Sequence, residues 1–347
     1  MPELPRYRTG DPDLDAAATA FVAHVGGGRN DDLLFEMAVT TLRFASDHAS
    51  RGDLKVANAA LKELRYAFHV FAPFRAARKA SIFGSARTRE DDPLYDQARR
   101  LATALAANDW MVITGAGPGI MTAGIEGAGV DNAFGVNIRL PFEATTSAFL
   151  AGDPKLVNFR YFFTRKLTFV KESDGFALLP GGFGTLDEAF ETLTLIQTGK
   201  AQPAPIVLLD VPDGTYWERW REFVETELAA RGYISATDLR LLIVTDDVAT
   251  AVDELTGFYA NYHSMRFVRG DLVLRVQHAP DGDALERLSE DFADILTRGK
   301  ITASAPTRIE VEQGDFPELD RVVLQFDRHG WARLRELIVA LNRPYRA

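Results

Sequence analysis

The residues best suited to chemistry lie near the middle of the chain and centre on Glu188. A helical pattern begins at about Thr185, so Glu188 falls in the first turn of a predicted helix. A helix N-terminus stabilises an ionised carboxylate. Beside a bound phosphosugar, such a carboxylate can stabilise an oxocarbenium-like ribose, hold its hydroxyls or activate an attacking water. Arg165 is always charged and can hold phosphate or carboxylate through two hydrogen bonds. Together these residues suit cleavage of an N-glycosidic bond.

The loop before Glu188 has the pattern of an anion site. A short apolar run, Phe176–Leu179, ends at Pro180, and a glycine-rich loop then leads into the helix. Glycines let backbone N–H groups approach a ligand closely, and the helix N-terminus adds unpaired donors and partial positive charge. Thr185 and Glu188 also fit a capping box, which needs no ligand. The spacing alone leaves both interpretations open. The glycines of this loop are Gly181, Gly182 and Gly184.

The elements around this loop follow an alternating pattern. From Lys79 onward, short apolar runs alternate with helical patterns, which predicts an α/β fold with a parallel sheet covered by helices on both faces. In such a sheet, ligands bind beyond the carboxyl ends of the strands. The predicted strands are Ala80–Phe83, Trp110–Thr114, Phe134–Ile138, Phe176–Leu179, Ile206–Leu209 and Leu241–Val244.

Three of the predicted strands end in glycine-rich turns. Turns raised at the same edge of one sheet would form a shared pocket, and this convergence favours a phosphate-bearing ligand. The second turn departs from the dinucleotide fingerprint at Ile120, which disfavours NAD. No P-loop sequence occurs, and the six histidines lack metal-ligand spacing, so we expect no metal. The first two turns contain Gly84, Ser85, Arg87, Gly117 and Gly119.

The segment Phe159–Glu172 is predicted to be a helix that carries two candidate cations. Arg165 flanks its apolar stripe and Lys166 falls within it, where an uncompensated charge is unfavourable. Without a ligand, Arg165 could be a surface cation beside Glu172 or Asp174, and Lys166 a lysine that extends along the surface. The stripe consists of Phe159, Phe162, Phe163, Leu167 and Val170.

Changes of pattern divide the chain into three predicted parts. Residues 1–78 form an arm followed by a two-helix extension, residues 79–262 form the nucleotide-binding α/β domain, and residues 263–347 form a small α+β domain. In the last part, strands are expected at Leu272–Val276 and Val322–Phe326, with a third near Arg308–Glu312. Helices are expected at Leu285–Leu296 and Trp331–Leu341.

Composition excludes several functional classes. No apolar run approaches the ~20 residues of a membrane span, and the N-terminus has no signal pattern. The absence of cysteine excludes disulfides and cysteine nucleophiles and fits a cytoplasmic protein. The net charge of −10 disfavours a general nucleic-acid-binding face. We therefore expect a cytoplasmic protein that binds neither membranes nor nucleic acid.

These motifs together resemble the Lonely Guy (LOG) family of cytokinin riboside 5′-monophosphate phosphoribohydrolases. Residues 180–188 fit its Pro-Gly-Gly-x-Gly-Thr-x-x-Glu motif, Arg165-Lys166 resembles its Arg-Lys element, and the turns at 84–87 and 115–121 resemble its earlier glycine turns. The resemblance covers about Lys79 to Tyr259. It implies a Rossmann-like doubly wound fold, a homodimer or larger assembly and no cofactor. The implied reaction converts a nucleoside 5′-monophosphate, cytokinin riboside monophosphate or AMP-like, into free base and ribose 5-phosphate.

The resemblance also implies roles for individual residues. Glu188 and Arg165 match the catalytic pair, and Gly181, Gly182, Gly184 and Thr185 match the phosphate loop. Substrate contacts are implied for Gly84, Ser85, Arg87, Gly117, Gly119, Lys166 and Glu143.

Two other classes of function stay open at this point. The chain could be a non-catalytic nucleotide-binding or sensing protein. A pyridoxal-phosphate-dependent decarboxylase would use Lys166 for the Schiff base, but the sequence identifies no partner for the pyridine nitrogen. Within the hydrolases, a general purine or pyrimidine monophosphate nucleosidase is an alternative, because the chain is longer at both ends than the short plant enzymes.

Overall fold

The structure is a computed structural model that describes residues 7–139 and 150–345. The chain forms two compact units, one up to Arg65 and one from Tyr66. The predicted division at residues 78 and 262 stays a prediction.

The first unit is helical. It contains α1 (Pro12–Val25), α2 (Asp31–Ser46) and most of α3 (Arg51–Phe71). The sequence predicts only a partly helical arm before residue 31, whereas α1 is a complete helix, capped by the Asp11 side chain and ended by a left-handed Gly26. Helices α1 and α2 bury a small apolar core formed by Ala18, Val22, Phe35 and Val39.

The second unit contains a doubly wound parallel sheet, as predicted. Within the described residues its strand order is β4-β3-β2-β1-β5-β6-β7. The order reverses direction beside β1, so the switch point lies between β1 and β5, where such folds bind ligands. The strands are β1 (Lys79–Phe83), β2 (Met111–Thr114), β3 (Ala133–Ile138), β4 (Leu156–Phe159), β5 (Gly175–Leu178), β6 (Ile206–Leu209) and β7 (Leu242–Thr245).

Helices cover both faces of this sheet because successive strand residues point to opposite sides. In β2, Ile113 joins one buried cluster with Phe134 and Phe169, whereas Val112 joins the other with Leu101. The helices are α4 (Pro93–Ala107), α5 (Ile120–Ala128), α6 (Phe162–Glu172), α7 (Phe183–Gln197), α8 (Tyr216–Phe223) and α9 (Val248–Gly257).

A smaller antiparallel sheet follows, in the order β10-β11-β9-β8. The strand predicted near Arg308–Glu312 is wrong, because Thr307 and Glu310 form a capping box that begins a helix there. The predicted helix Leu285–Leu296 ends at Asp291. These elements are β8 (Tyr262–Val268), β9 (Asp271–Val276), α10 (Gly282–Asp291), β10 (Leu296–Ser304), α11 (Arg308–Gln313), β11 (Asp320–Phe326) and α12 (Trp331–Asn342).

Candidate active site

The three glycine turns meet at the carboxyl edge of the parallel sheet. The Ser85 backbone N–H, after β1, donates to the Pro180 carbonyl after β5 (3.3 Å). The Ser85 carbonyl accepts from the Ile120 N–H at the start of α5 (3.1 Å). The turn after β1 is thus hydrogen-bonded to both of its neighbours.

Gly119 shows why one of these turns requires glycine. Its φ is +67°, and a Cβ at this position would lie 2.4 Å from the Ser85 carbonyl oxygen. A side chain would therefore strain the backbone and push the second turn away from the first.

The loop after β5 is open at its tip. Helix α7 begins at Phe183 with Gly182 as its N-cap, and no side chain of the described residues caps it. Thr185 is buried, with its Oγ1 packed so closely against Gly181 that a Cβ there would lie 2.1 Å away. A Cβ on Gly182 or Gly184 would meet nothing within 4 Å. The capping-box interpretation of Thr185 and Glu188 is therefore wrong, and the loop keeps unpaired helix-terminal donors beside open space.

Arg165 reaches into the sheet edge from α6. Its Nε donates to the Val136 carbonyl of β3 (2.9 Å), and its guanidinium lies 5.2 Å from the Phe169 ring centroid. Burial lowers the pKa of Arg165, while Glu188 acts in the opposite direction. The alternative as a surface cation beside Glu172 or Asp174 is wrong.

Glu188 lies in the second turn of α7 and is only 8% exposed. Burial raises the pKa of Glu188 to about 7, although the charges of Lys166 and Arg165 act to lower it. The sequence predicts that the helix N-terminus keeps this carboxylate ionised. Glu188 lies beyond the first turn, where the helix N-terminus has less effect, and desolvation opposes its ionised form.

Lys166 is held between two carboxylates of α7. Its Nζ lies 2.9 Å from Asp187 Oδ2 and 2.8 Å from Glu191 Oε2. Burial disfavours its charged form, but the hydrogen bonds to Glu191 and Asp187 raise the pKa of Lys166. Lys166 therefore joins α6 to α7 and lies close enough to affect the charge of Glu188.

The apolar stripe predicted for α6 does not form the buried side of this helix. Thr164, Thr168 and Phe169 are buried instead. The predicted stripe leaves about half of three large side chains exposed: Phe162, Phe163 and Leu167.

The remaining predicted residues pack within the glycine turns, are exposed, or lie outside the described part of the chain. Gly84 packs against Ile120, and the Arg87 backbone N–H donates to Ser85 Oγ (3.0 Å), while the Arg87 side chain is exposed. Gly117 faces the Met121 side chain. Glu143 lies outside the described residues.

Sequence reasoning missed two residues that support the site. A Cβ on Gly115 would lie 2.6 Å from Arg165 Nη2, so this glycine makes room for the guanidinium. The Tyr216 hydroxyl donates to the Gly181 carbonyl (2.7 Å). Gly115 belongs to a glycine-rich turn and could have been found from that signal, whereas nothing in the sequence around Tyr216 marks it.

Two clefts lie beside the glycine turns, the first next to Pro180 and the second next to Ala86 and Gly119. Neither cleft is lined by Glu188 or Arg165. The first, of about 590 Å³, is lined by Leu94, Pro180, Leu186, Asp210, Thr215, Tyr216, Arg219 and Trp220. The second, of about 530 Å³, is lined by Ala86, Thr88, Arg89, Glu90, Asp91, Tyr95, Pro118, Gly119 and Thr122.

Two kinds of feature are absent from the part of the chain that the structure describes. Within residues 7–139 and 150–345, no three His, Asp or Glu side chains are grouped so that they could hold a metal ion. In the same two ranges, no helix is both long enough and apolar enough to cross a membrane.

Comparison with known proteins confirms the resemblance predicted from the motifs. Residues 118–255 match the model of a family described as possible lysine decarboxylase. Over 99 residues the chain is 34% identical to a probable cytokinin riboside 5′-monophosphate phosphoribohydrolase of Oryza sativa subsp. japonica. The aligned segment covers 28% of this chain and 44% of the relative. Over 88 residues it is 39% identical to a cytokinin riboside 5′-monophosphate phosphoribohydrolase of Mycobacterium tuberculosis, covering 25% of this chain and 45% of that protein.

The chain thus spans less than half the length of these two relatives. Among solved structures, it is similar to a molybdenum cofactor binding protein of Rippkaea orientalis, with 15% identity, a TM-score of 0.37 and coverage of 51% of this chain and 94% of that chain.

Proposed function

We propose that this protein hydrolyses the N-glycosidic bond of a nucleoside 5′-monophosphate to give free base and ribose 5-phosphate. One observation carries the proposal: Glu188 is buried beside Arg165, next to a glycine loop with open helix-terminal donors. The named activity of the two relatives supports the same reaction.

The geometry suggests a separate role for the glycine loop, for Glu188 and for Arg165. The N–H groups at Gly182 and Gly184 would bind the 5′-phosphate. Glu188 in its ionised form would stabilise positive charge on the ribose as the glycosidic bond breaks and its electron pair leaves with the base. Water then attacks C1′, and Glu188, with a pKa of about 7, can take up the released proton, while the departed base takes a proton from solvent. Arg165 Nε donates a hydrogen bond to the Val136 carbonyl, so the terminal amino groups of the guanidinium are the ones available to contact substrate.

The test is direct. Purified protein is incubated with AMP and with isopentenyladenosine 5′-monophosphate, and free base and ribose 5-phosphate are measured. Glu188→Gln should lower kcat by about 10²- to 10⁴-fold, the usual contribution of a positioned acid or base. Glu290→Gln is the matched control, because Glu290 is exposed on α10. If no monophosphate releases base, the proposal is wrong, and nucleotide binding without turnover would favour a sensing protein.

Substrate preference belongs to the same proposal. The names of the relatives favour a cytokinin riboside monophosphate over other nucleotides. A kcat/KM for isopentenyladenosine monophosphate well above that for AMP would support this preference. Comparable values for purine and pyrimidine monophosphates would favour a general nucleosidase.

The decarboxylase alternative conflicts with the surroundings of Lys166. A Schiff base requires a neutral amine, whereas Asp187 and Glu191 keep this ammonium charged. The residues around Lys166 therefore do not fit pyridoxal phosphate.

A homodimer and a cytoplasmic location are part of the proposal as well. The exposed Phe162, Phe163 and Leu167 on α6 give the second unit an apolar surface suited to self-association. Phe163→Glu should lower the mass measured by light scattering if this surface pairs, and an unchanged dimer would exclude it. The cytoplasmic location still rests on the absence of cysteine, and cell fractionation tests it.

A further inference from the structure

Tyr216 contacts the glycine loop from outside the strand and helix that carry it. This residue is the first of α8, and its hydroxyl donates to the Gly181 carbonyl at 2.7 Å. Its side chain also lines the first cleft. Burial raises the pKa of Tyr216, so the phenol stays protonated and its O–H can donate a hydrogen bond throughout the physiological pH range.

A buried carboxylate fixes the position of Tyr216. Asp210 follows β6 and is 5% exposed. Its carboxylate accepts from the backbone N–H groups of Val211 (2.9 Å) and Tyr216 (3.1 Å). The Gln97 side chain donates to the Asp210 carbonyl (2.9 Å). The first turn of α8 is therefore tied to the end of the sheet, and the Tyr216 ring starts from a fixed backbone.

The hydrogen bond to Gly181 also sets the direction of the next N–H group. A trans peptide unit is planar, and its C=O and N–H bonds point in opposite directions. Holding the Gly181 carbonyl on the Tyr216 side therefore turns the Gly182 N–H to the other side. Gly182 is the N-cap of α7, and a Cβ there would meet nothing within 4 Å. Without the hydroxyl, glycines on both sides of this peptide would let it rotate.

We propose that Tyr216 is a positioning residue that fixes the Gly181–Gly182 peptide so that the Gly182 N–H faces the 5′-phosphate of the substrate. The inference rests on the proposed function, since it concerns the phosphate group of the nucleotide. It assigns to α8 a part in selecting phosphorylated substrates over free nucleosides.

Tyr216→Phe removes the hydroxyl and keeps the ring. We expect the KM for AMP and the inhibition constant of ribose 5-phosphate to rise about five- to tenfold, as the loss of one hydrogen bond predicts. The kcat and the inhibition constant of free adenine should stay within about twofold, because neither depends on phosphate binding. Tyr233→Phe is the matched control, because Tyr233 is 71% exposed.

Each outcome decides between explanations. Equal losses in kcat and in adenine binding, or a lowered Tm with unchanged ribose 5-phosphate inhibition, would show a merely structural role and overturn the inference. If the wild type releases no base but binds ribose 5-phosphate in calorimetry, the hydrolase proposal is wrong. In that case a raised dissociation constant of ribose 5-phosphate in Tyr216→Phe would support the positioning role of Tyr216, and an unchanged one would overturn it. If the wild type binds no ribose 5-phosphate, both proposals are wrong.

Discussion

Replacing Glu188 by glutamine should stabilise the folded protein at alkaline pH and change its stability little in acid. Burial raises the pKa of Glu188 from 4.5 to about 7, and Lys166 and Arg165 offset only part of this effect. The unfolded chain therefore releases the proton near pH 4.5, and the folded chain near pH 7. Between these values the folded state binds more protons, so the wild type loses stability as the pH rises.

The magnitude follows from the difference between the two pKa values. Each pH unit is worth about 1.4 kcal/mol, so (7 − 4.5) corresponds to about 3 kcal/mol. Glutamine is neutral at every pH. The Glu188→Gln variant should therefore exceed the wild type in free energy of unfolding by up to about 3 kcal/mol at pH about 8, and by little at pH about 4.

Urea unfolding of both proteins at the two pH values measures this difference. Subtracting wild type from variant at each pH removes the contribution of the titrating groups that do not interact with Glu188, and Glu290→Gln controls for the substitution itself. A difference of the same size at both pH values would refute the reasoning, as would a variant less stable than the wild type at the higher pH.

Three further predictions concern activity. Gly115→Ala should leave Tm near the wild-type value but lower kcat by about 10²-fold, because the new Cβ displaces the flexible ends of Arg165 and Met121. Gly282→Ala, where a Cβ meets nothing within 4 Å, should preserve both Tm and kcat. Full activity of Gly115→Ala would contradict the role of Arg165. The kcat/KM for AMP should rise with pH through about 7 as Glu188 ionises, and a pH-independent value would exclude it as the acting carboxylate. Lys166→Met should move that midpoint to higher pH, because it removes a charge that lowers the pKa of Glu188, and an unmoved midpoint would show that the charge is screened.

The sequence predicts most of the parallel sheet but not the strand β4. Strands buried on both faces read as continuous apolar runs, and the runs ending at Leu179 and Leu209 show this clearly. Strand β4 lies at the edge of the sheet, and its burial alternates along four residues. The sequence pattern places Phe159 in the following helix, because a short edge strand next to aromatic residues does not differ in pattern from the start of an amphipathic helix.

The orientation of α6 could not be predicted from hydrophobicity. Thr164 and Thr168 occupy the buried side because their hydroxyls donate to the carbonyls of Tyr161 and Thr164, at 3.0 and 2.8 Å. Satisfied in this way, threonine can be buried. The motif around Glu188 predicts where the site lies, but its pKa depends on packing between α6 and α7, which the sequence does not state.

The pairing of Arg165 with Glu188 is difficult to explain as a device for stability. Burial disfavours the charged form of each, since it lowers the pKa of Arg165 and raises that of Glu188. Well-packed apolar residues usually stabilise a fold at least as well as a buried ion pair. Perturbed ionisable groups at the switch point of a doubly wound sheet are instead typical of catalytic sites. If the same carboxylate governs stability and catalysis, the difference in unfolding free energy between Glu188→Gln and the wild type should stop growing near pH 7, where kcat/KM has its midpoint. A stability difference that levels off at a pH well away from the kinetic midpoint would mean that another group governs the reaction.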